Sequence, residues 1–216
     1  MNYDAISSIT MPVGKITPKG ISLLGTAFII KEGVLATAAH VVNNNDNGLV
    51  IVLNQINNLQ EYQDTSNTKF RIVVAKIIAI NPVFDVCLLK VDADVTSNLS
   101  IGSCSEINVC EEVEMFGYPH SDEGRMVLTY QSTKVGAKVL LNSSNISVRN
   151  LVLNIQTRPG QSGSPIFKAG TTKVVAMLIG AYVPTQSGGI SLGGIDPRTL
   201  HQTSHAVSAE YIKEML

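Results

Sequence analysis

A succession of short, β-branched apolar runs constrains this chain more than any other feature. The runs fall at residues 26–30, 34–37, 49–53, 72–80, 86–91, 109–116, 126–130, 134–141, 146–155, 166–168 and 173–183. Clusters of Asn, Asp, Ser and Gly, such as residues 43–48 and 142–145, break them up. Many short strands punctuated by turn residues build a β-sandwich or a barrel pair, not an alternating α/β sheet. A helical period appears only at the end. There Ser208 suits an N-cap, Glu210 suits the first turn, and Ala209, Ile212, Met215 and Leu216 space one apolar face. The expected fold is therefore all-β with a C-terminal helix packed on a barrel. Segments 55–69 and 92–106 read as loops, the second as a crossover between two halves.

Composition bounds the partners. With 44% hydrophobic and 15% charged residues and a mean hydropathy of +0.20, the 216 residues can bury one large core or two that share a seam. Sixteen Lys and Arg against 17 Asp and Glu leave a formal charge of -1, with no basic stripe for nucleic acid or an anionic membrane. Trp is absent and aromatics are sparse, so bases find no stacking platform. Cys87, Cys104 and Cys110 form no C-x-x-C and have no neighbouring histidines, which speaks against zinc. The longest apolar run, residues 174–183, is too short to span a bilayer. Residues 1–15 lack a charged start followed by an apolar stretch, so no leader is expected and a cytoplasmic setting is the default.

Chemistry concentrates in one segment, Arg158-Pro159-Gly160-Gln161-Ser162-Gly163-Ser164-Pro165. Two glycines flank a serine inside a tight bend between apolar runs. Such a bend lifts a hydroxyl from a sheet and turns successive N–H groups toward one point. A serine hydroxyl is a weak nucleophile without a neighbouring base. The best base is His40, in Thr37-Ala38-Ala39-His40-Val41-Val42, and the best carboxylate is Asp85, in Phe84-Asp85-Val86-Cys87-Leu88-Leu89. Taken singly, a histidine in an apolar run is more often a core or turn residue, and an aspartate before a strand is more often a cap. An aspartate beside a buried strand would nevertheless be costly to hide without a partner.

Taken together, in the order His40, Asp85, Ser162, these contexts resemble the chymotrypsin-like (trypsin-like) serine peptidases. The likeness rests on Ala38-Ala39-His40, on Asp85 opening a Leu-Leu strand, on Gly160-Gln161-Ser162-Gly163-Ser164-Pro165, and on the turn Phe116-Gly117-Tyr118-Pro119. It runs from about Gly25 to the terminal helix. The resemblance implies two six-stranded Greek-key β-barrels, residues 1–98 with His40 and Asp85 and residues 99–216 with Ser162, and an active site in the cleft between them. It implies that Ser162 attacks a peptide carbonyl, His40 takes and returns its proton, and Asp85 holds the tautomer of His40. The N–H groups of Gly160 and Ser162 would form the oxyanion hole. No metal or organic cofactor is required. A protein or peptide substrate is the implied partner, and a regulatory protein that orders the loop is a second one.

Departures from the family pattern narrow the resemblance. Many secreted relatives carry an aspartate just before the nucleophile, which receives a newly cut amino terminus; here Gln161 stands there, and no activation-site sequence precedes it. The chain looks more like the bacterial branch of high-temperature-requirement and glutamyl endopeptidase proteases, without the PDZ module common in the former. By the same likeness Gln156, Thr157, Leu178, Gly180, Ala181 and Tyr182 line or edge the substrate site. Thr157 matches glutamate-specific relatives, but Leu178 stands where they place a histidine, and no acidic residue sits near Gln156. A small or medium uncharged P1 residue is expected. His205 is read as facing solvent at a strand end.

Two alternatives stay open. Asp196, His201 and His205 follow Ser162 in the Ser–Asp–His order of α/β-hydrolases, although their elbow needs Gly-x-Ser-x-Gly between a strand and a helix. The same fold could also serve as a binding or regulated module, inactive until a partner orders the loop.

Overall fold

The computed structural model describes residues 3–53, 56, 58–67, 69–181 and 203–216. Helix α1 (Tyr3–Ile9) leads into β1 (Thr10–Thr17), β2 (Gly20–Lys31) and β3 (Val34–Ala38); the short helix α2 (Ala39–Val42) precedes β4 (Leu49–Leu53), β5 (Arg71–Asn81) and β6 (Val86–Val91). These six strands close an antiparallel barrel in the order β1-β2-β3-β6-β5-β4. Three hairpin-linked strands followed by a fourth that returns beside the first make this a Greek key. After β7 (Ser100–Ile101) come β8 (Glu112–Gly117), β9 (Thr129–Ser143), β10 (Ile146–Leu153), β11 (Pro165–Lys168), β12 (Lys173–Ala181), β13 (Ser204–Ser208) and the terminal helix α3 (Glu210–Glu214). Here β11-β8-β9-β10-β13-β12 is closed by a β11–β12 ladder, and β7 adds a two-residue parallel edge to β12.

The barrels close because apolar side chains have inner faces to fill. Val13, Phe28, Leu35, Leu49, Ile51 and Leu89 are buried in the first, and Val113, Met115, Val135, Leu151, Ile166 and Val175 in the second. Register shifts at Val13/Gly14, Ile29/Lys31, Ile77/Ala79 and Leu178/Gly180 bend the strands as bulges do at barrel corners. Phe116, Tyr118 and Phe167 join the core of the first barrel, so one continuous apolar seam unites the two. The two ends of the chain are exchanged across it. From α1, Tyr3 packs edge-on against Tyr130 of the second barrel; from α3, Tyr211 stacks on Phe84 of the first, centroids 4.0 Å apart.

The all-β architecture with a short C-terminal helix follows the sequence pattern, and the two six-stranded barrels are those the family resemblance implies. This removes the α/β-hydrolase reading, which needs a parallel sheet feeding a helix; Asp196 and His201 lie outside the described residues. Details differ from expectation for physical reasons. Residues 126–130 and 134–141 read as separate runs, yet β9 is one strand from Thr129, paired with β8 through Lys134 and with β10 from Val135 on. The run 109–116 begins as a turn, and pairing starts only at Glu112. Ser208 is not a helix cap. It ends β13 and its hydroxyl accepts the Cys104 N–H at 2.9 Å, leaving Ala209 at the N-cap position with no side-chain cap. No described helix is long and apolar enough to cross a membrane.

Candidate active site

His40 sits in α2, immediately after the fully buried β3, and the small residues before it have a packing reason. A Cβ placed on Gly163 would lie 2.0 Å from the Thr26 carbonyl oxygen, 2.6 Å from Thr37 Oγ1 and 3.2 Å from the Ala38 nitrogen. The end of β3 therefore presses on the Ser162 loop, and Gly163, at φ +88°, has no alternative residue.

Asp85 lies in the turn between β5 and β6 in the left-handed region, φ +55°, which aspartate tolerates better than most residues. That turn lets one residue grip α2 three times. Its carbonyl accepts the Ala39 N–H at 3.1 Å, Oδ1 accepts the His40 N–H at 2.8 Å, and Oδ2 is 2.6 Å from His40 Nδ1. An ionised carboxylate only accepts hydrogen bonds, so Nδ1 carries the proton and the Nε2 lone pair is left free. The His40 side chain is 47% exposed and that of Asp85 26%, so the ring lies open to the cleft.

The Ser162 loop is held by many more partners. The Gln161 N–H donates to the Arg158 carbonyl at 3.1 Å, and Gly160 between them has φ +88°. With Pro159 at the second position and a positive-φ glycine at the third, residues 158–161 form a type II turn. The Pro159 carbonyl accepts the His120 N–H at 2.7 Å. Since a trans peptide sends its N–H opposite to its C=O, the Gly160 N–H leaves on the face away from His120. Thr26 of β2 donates its N–H to the Ser162 carbonyl at 2.9 Å and its hydroxyl to the Gly160 carbonyl at 2.9 Å, while accepting the Tyr118 N–H at 3.2 Å. Gln161 is fully buried: its Oε1 accepts the Arg158 N–H at 2.8 Å, and its Nε2 donates to Gln131 Oε1 at 2.7 Å. The Ser162 hydroxyl donates to the Ile179 carbonyl at 3.5 Å, a long bond.

Around the loop, Thr157 is nearly buried and its hydroxyl lies 2.9 Å from that of Ser204, which donates to the Ile155 carbonyl at 2.7 Å. Gln156 is half-buried in the approach to the loop. Leu178 is buried in the core of the second barrel, and its backbone brackets the loop: it donates to the Ser164 carbonyl and accepts the Gly163 N–H. Gly180 and Ala181 pair with His205 and Ser204 on β13, while Tyr182 lies outside the described residues. His205 is partly buried, and desolvation lowers its pKa. Burial pushes the Cys87 and Cys104 thiols up, to about 12 and about 11, so neither offers a thiolate. No group of three or more potential ligands for a metal occurs among the described residues. Sequence reading missed Thr26, Gln131, Ser204 and the His120 N–H. Only Thr26, a hydroxyl inside an otherwise apolar run, leaves any trace in the sequence.

Comparison with known proteins bears on this geometry. A family model described as a trypsin-like peptidase domain matches residues 25–177. A probable periplasmic serine endoprotease, DegP-like, of Hahella chejuensis is 28% identical over 183 residues, which are 82% of this chain and 34% of the relative. The chain thus spans about a third of the length of the curated relatives it matches. Among solved structures, the active form of the Rv3671c protease of M. tuberculosis superposes with a TM-score of 0.72 at 16% identity, covering 99% of this chain and 82% of that one. The HtrA-type protease AlgW, solved with a tripeptide, gives 0.68 at 16% identity, covering 98% and 61%. Both share the fold. The cytoplasmic setting expected from the first residues is overturned, because the curated relatives are periplasmic by name and the character of residues 1–15 carries no weight against that. The chain belongs to the trypsin-like peptidase domain family.

Proposed function

We propose that the chain is a serine endopeptidase in which His40, Asp85 and Ser162 form the catalytic triad. The observation that carries this reading is the Asp85 grip on His40. It fixes the tautomer with the Nε2 lone pair free, on a helix abutting the Ser162 loop. Ser162 Oγ turns from the Ile179 carbonyl toward Nε2 and attacks the substrate carbonyl as His40 takes its proton. The tetrahedral oxyanion is held by the N–H groups of Gly160 and Ser162, each worth about 3 kcal/mol of barrier. Collapse breaks the C–N bond, and His40 returns the proton to the leaving amine. Water then gives a proton to His40, attacks the acyl-enzyme, and releases the acid as Ser162 recovers its hydrogen. No step calls for a metal or an organic cofactor.

The type II turn supports an oxyanion loop already in its working shape, because the Pro159 carbonyl is occupied by His120 and cannot swing toward Ser162 without losing that bond. Thr157 and Ser204 hydroxyls, bonded to one another and buried beside the loop, put no charge there. That supports a small or medium uncharged P1 residue, with Gln156 and Leu178 near the pocket and the backbone of Gly180, Ala181 and Tyr182 pairing with the peptide. The proposed division at residues 98 and 99 falls in the connection after β6.

A fluorophosphonate probe should label the wild-type chain at Ser162 and leave Ser162→Ala unlabelled. Absence of labelling in the isolated chain and with peptide ligands would overturn the enzyme reading. Cleavage of a peptide library should favour Ala, Val or similar P1 residues; a dominant Arg, Lys or Glu would overturn the pocket assignment. The long Ser162–Ile179 bond favours a second reading, in which a ligand or regulatory partner must first engage the loop. Labelling that appears only on adding a peptide would establish it.

A further inference from the structure

Gln161 occupies the place where many secreted relatives carry a charged aspartate, and it is completely enclosed. A buried carboxamide must satisfy both ends or forfeit stability. One end is dictated by the backbone: the Arg158 N–H can only donate, so it must face Oε1 of Gln161. The opposite end, Nε2, must then find an acceptor, and it finds Oε1 of Gln131, thirty residues earlier on β9. The direction of this relay is therefore fixed from end to end. Arg158 and Gln161 are also the first and last residues of the type II turn that presents Gly160.

We propose that Gln131 is a positioning residue for this turn, the neutral side-chain counterpart of an amino-terminal ion pair. Its acceptor oxygen holds the Gln161 amide in the one orientation that also holds the Arg158 N–H. Without that oxygen, Nε2 of Gln161 is left unpaired in an enclosed site. Flipping the amide to rescue it would set an NH2 group against the Arg158 N–H and release the start of the turn. Gln131 can do this because it stands on a rigid strand, paired with Met115 on β8. Its neighbour Tyr130 faces the other way, bonded to Glu114, so the strand is held on both faces. The loop thus carries its ordering group within the barrel, independent of a cut amino terminus.

The kinetic part of this inference rests on the serine-peptidase reading, so the test has two independent readouts. Amide hydrogen exchange of residues 158–163 is compared in wild type, Gln131→Met and Gln131→Glu, with strands β1 to β6 as the internal control. Gln131→Met, similar in volume but without a comparable acceptor, should speed exchange in the loop about tenfold, the worth of one hydrogen bond. The control strands should not change. Gln131→Glu, which restores the oxygen, should exchange as wild type does. On a fluorogenic peptide, Gln131→Met should lower kcat about tenfold with KM nearly unchanged, the mark of a contact that matters in the transition state, and Gln131→Glu should recover it. Unaltered loop exchange in Gln131→Met would overturn the proposal, as would Gln131→Glu behaving like Gln131→Met. A wild type that never cleaves peptide, with a loop that still loosens in Gln131→Met, would refute the peptidase reading while upholding the positioning role.

Discussion

The His40–Asp85 pair and the Ser162 loop, which abut where the end of β3 meets Gly163, are built on opposite plans. The pair is nearly self-sufficient: one aspartate in a left-handed turn grips one short helix through its carbonyl and both carboxylate oxygens, all within the first barrel. The loop closes its own turn between Arg158 and Gln161, but the turn is held in place from outside. Its shape depends on Thr26 from the first barrel, on the His120 N–H and Gln131 from the second, and on the Leu178 backbone across the sheet. An orientation set by one residue fails all at once when that residue changes. A shape set by many partners should fail by degrees, and this contrast can be broken or sharpened by substitution.

The largest effect is expected from Asp85→Asn. The His40 backbone N–H must still be accepted, so the amide oxygen takes the place of Oδ1 and the NH2 group turns to Nδ1. Nδ1 is then forced to accept, the ring proton moves to Nε2, and the base facing Ser162 is lost. We expect kcat/KM to fall by about 10⁴-fold, with thermal stability close to wild type. A loss under about tenfold would show that the carboxylate does not set the tautomer.

A graded failure is expected from Thr26→Val, which keeps volume and removes one hydroxyl. Two buried groups lose their partner together, the Gly160 carbonyl and the Tyr118 N–H. The backbone bond from residue 26 to the Ser162 carbonyl survives. Unsatisfied buried groups cost about 1–3 kcal/mol each, so denaturant midpoints should drop measurably while kcat falls about tenfold, a modest kinetic loss. If kcat instead collapsed as far as in Asp85→Asn, the distributed support of the loop would be refuted.

The same contrast decides what a reader of the sequence can see. His40, Asp85 and Ser162 are legible because each sits in a local motif whose neighbours report its geometry: small residues before His40, a buried strand after Asp85, and glycines around Ser162. The barrels are legible for a similar reason, since β4 is an unbroken apolar run and β3 and β6 are interrupted only by Thr37 and Lys90. β1 was hidden because Pro12 and Gly14 interrupt it, and the fold accommodates both. The β1–β4 ladder starts only at Val13, so the missing Pro12 N–H is not needed there, and Gly14 follows a bulge. Gln131 leaves no mark, and Thr26 only a hydroxyl in an apolar run, because their partners are thirty and 134 positions away and nothing local says which loop a strand residue meets once the barrels close.

The smallest effect tests whether the exchanged amino-terminal segment belongs to the loop's support. Tyr3 donates its phenol to Glu114 at 2.8 Å, and Tyr130, next to Gln131, donates to the same carboxylate oxygen at 3.1 Å. The Glu114 carboxylate accepting this bond, aided by burial, pushes the Tyr3 phenol up from its usual value near 10 to about 12. A folded-state pKa above the unfolded one means that the bond's stabilising contribution is complete below about pH 10 and is lost as pH rises through about 12. Tyr3→Phe should therefore melt about 1–3 °C below wild type at pH 8, and the difference should shrink toward zero between pH 10 and 12. Turnover at neutral pH should stay within about twofold of wild type, because the bond anchors α1 to β8 and touches no group of the loop. A tenfold fall in kcat with an unchanged melting point would instead make the first helix one more of the loop's partners, and would move the boundary between the two plans to the very start of the fold.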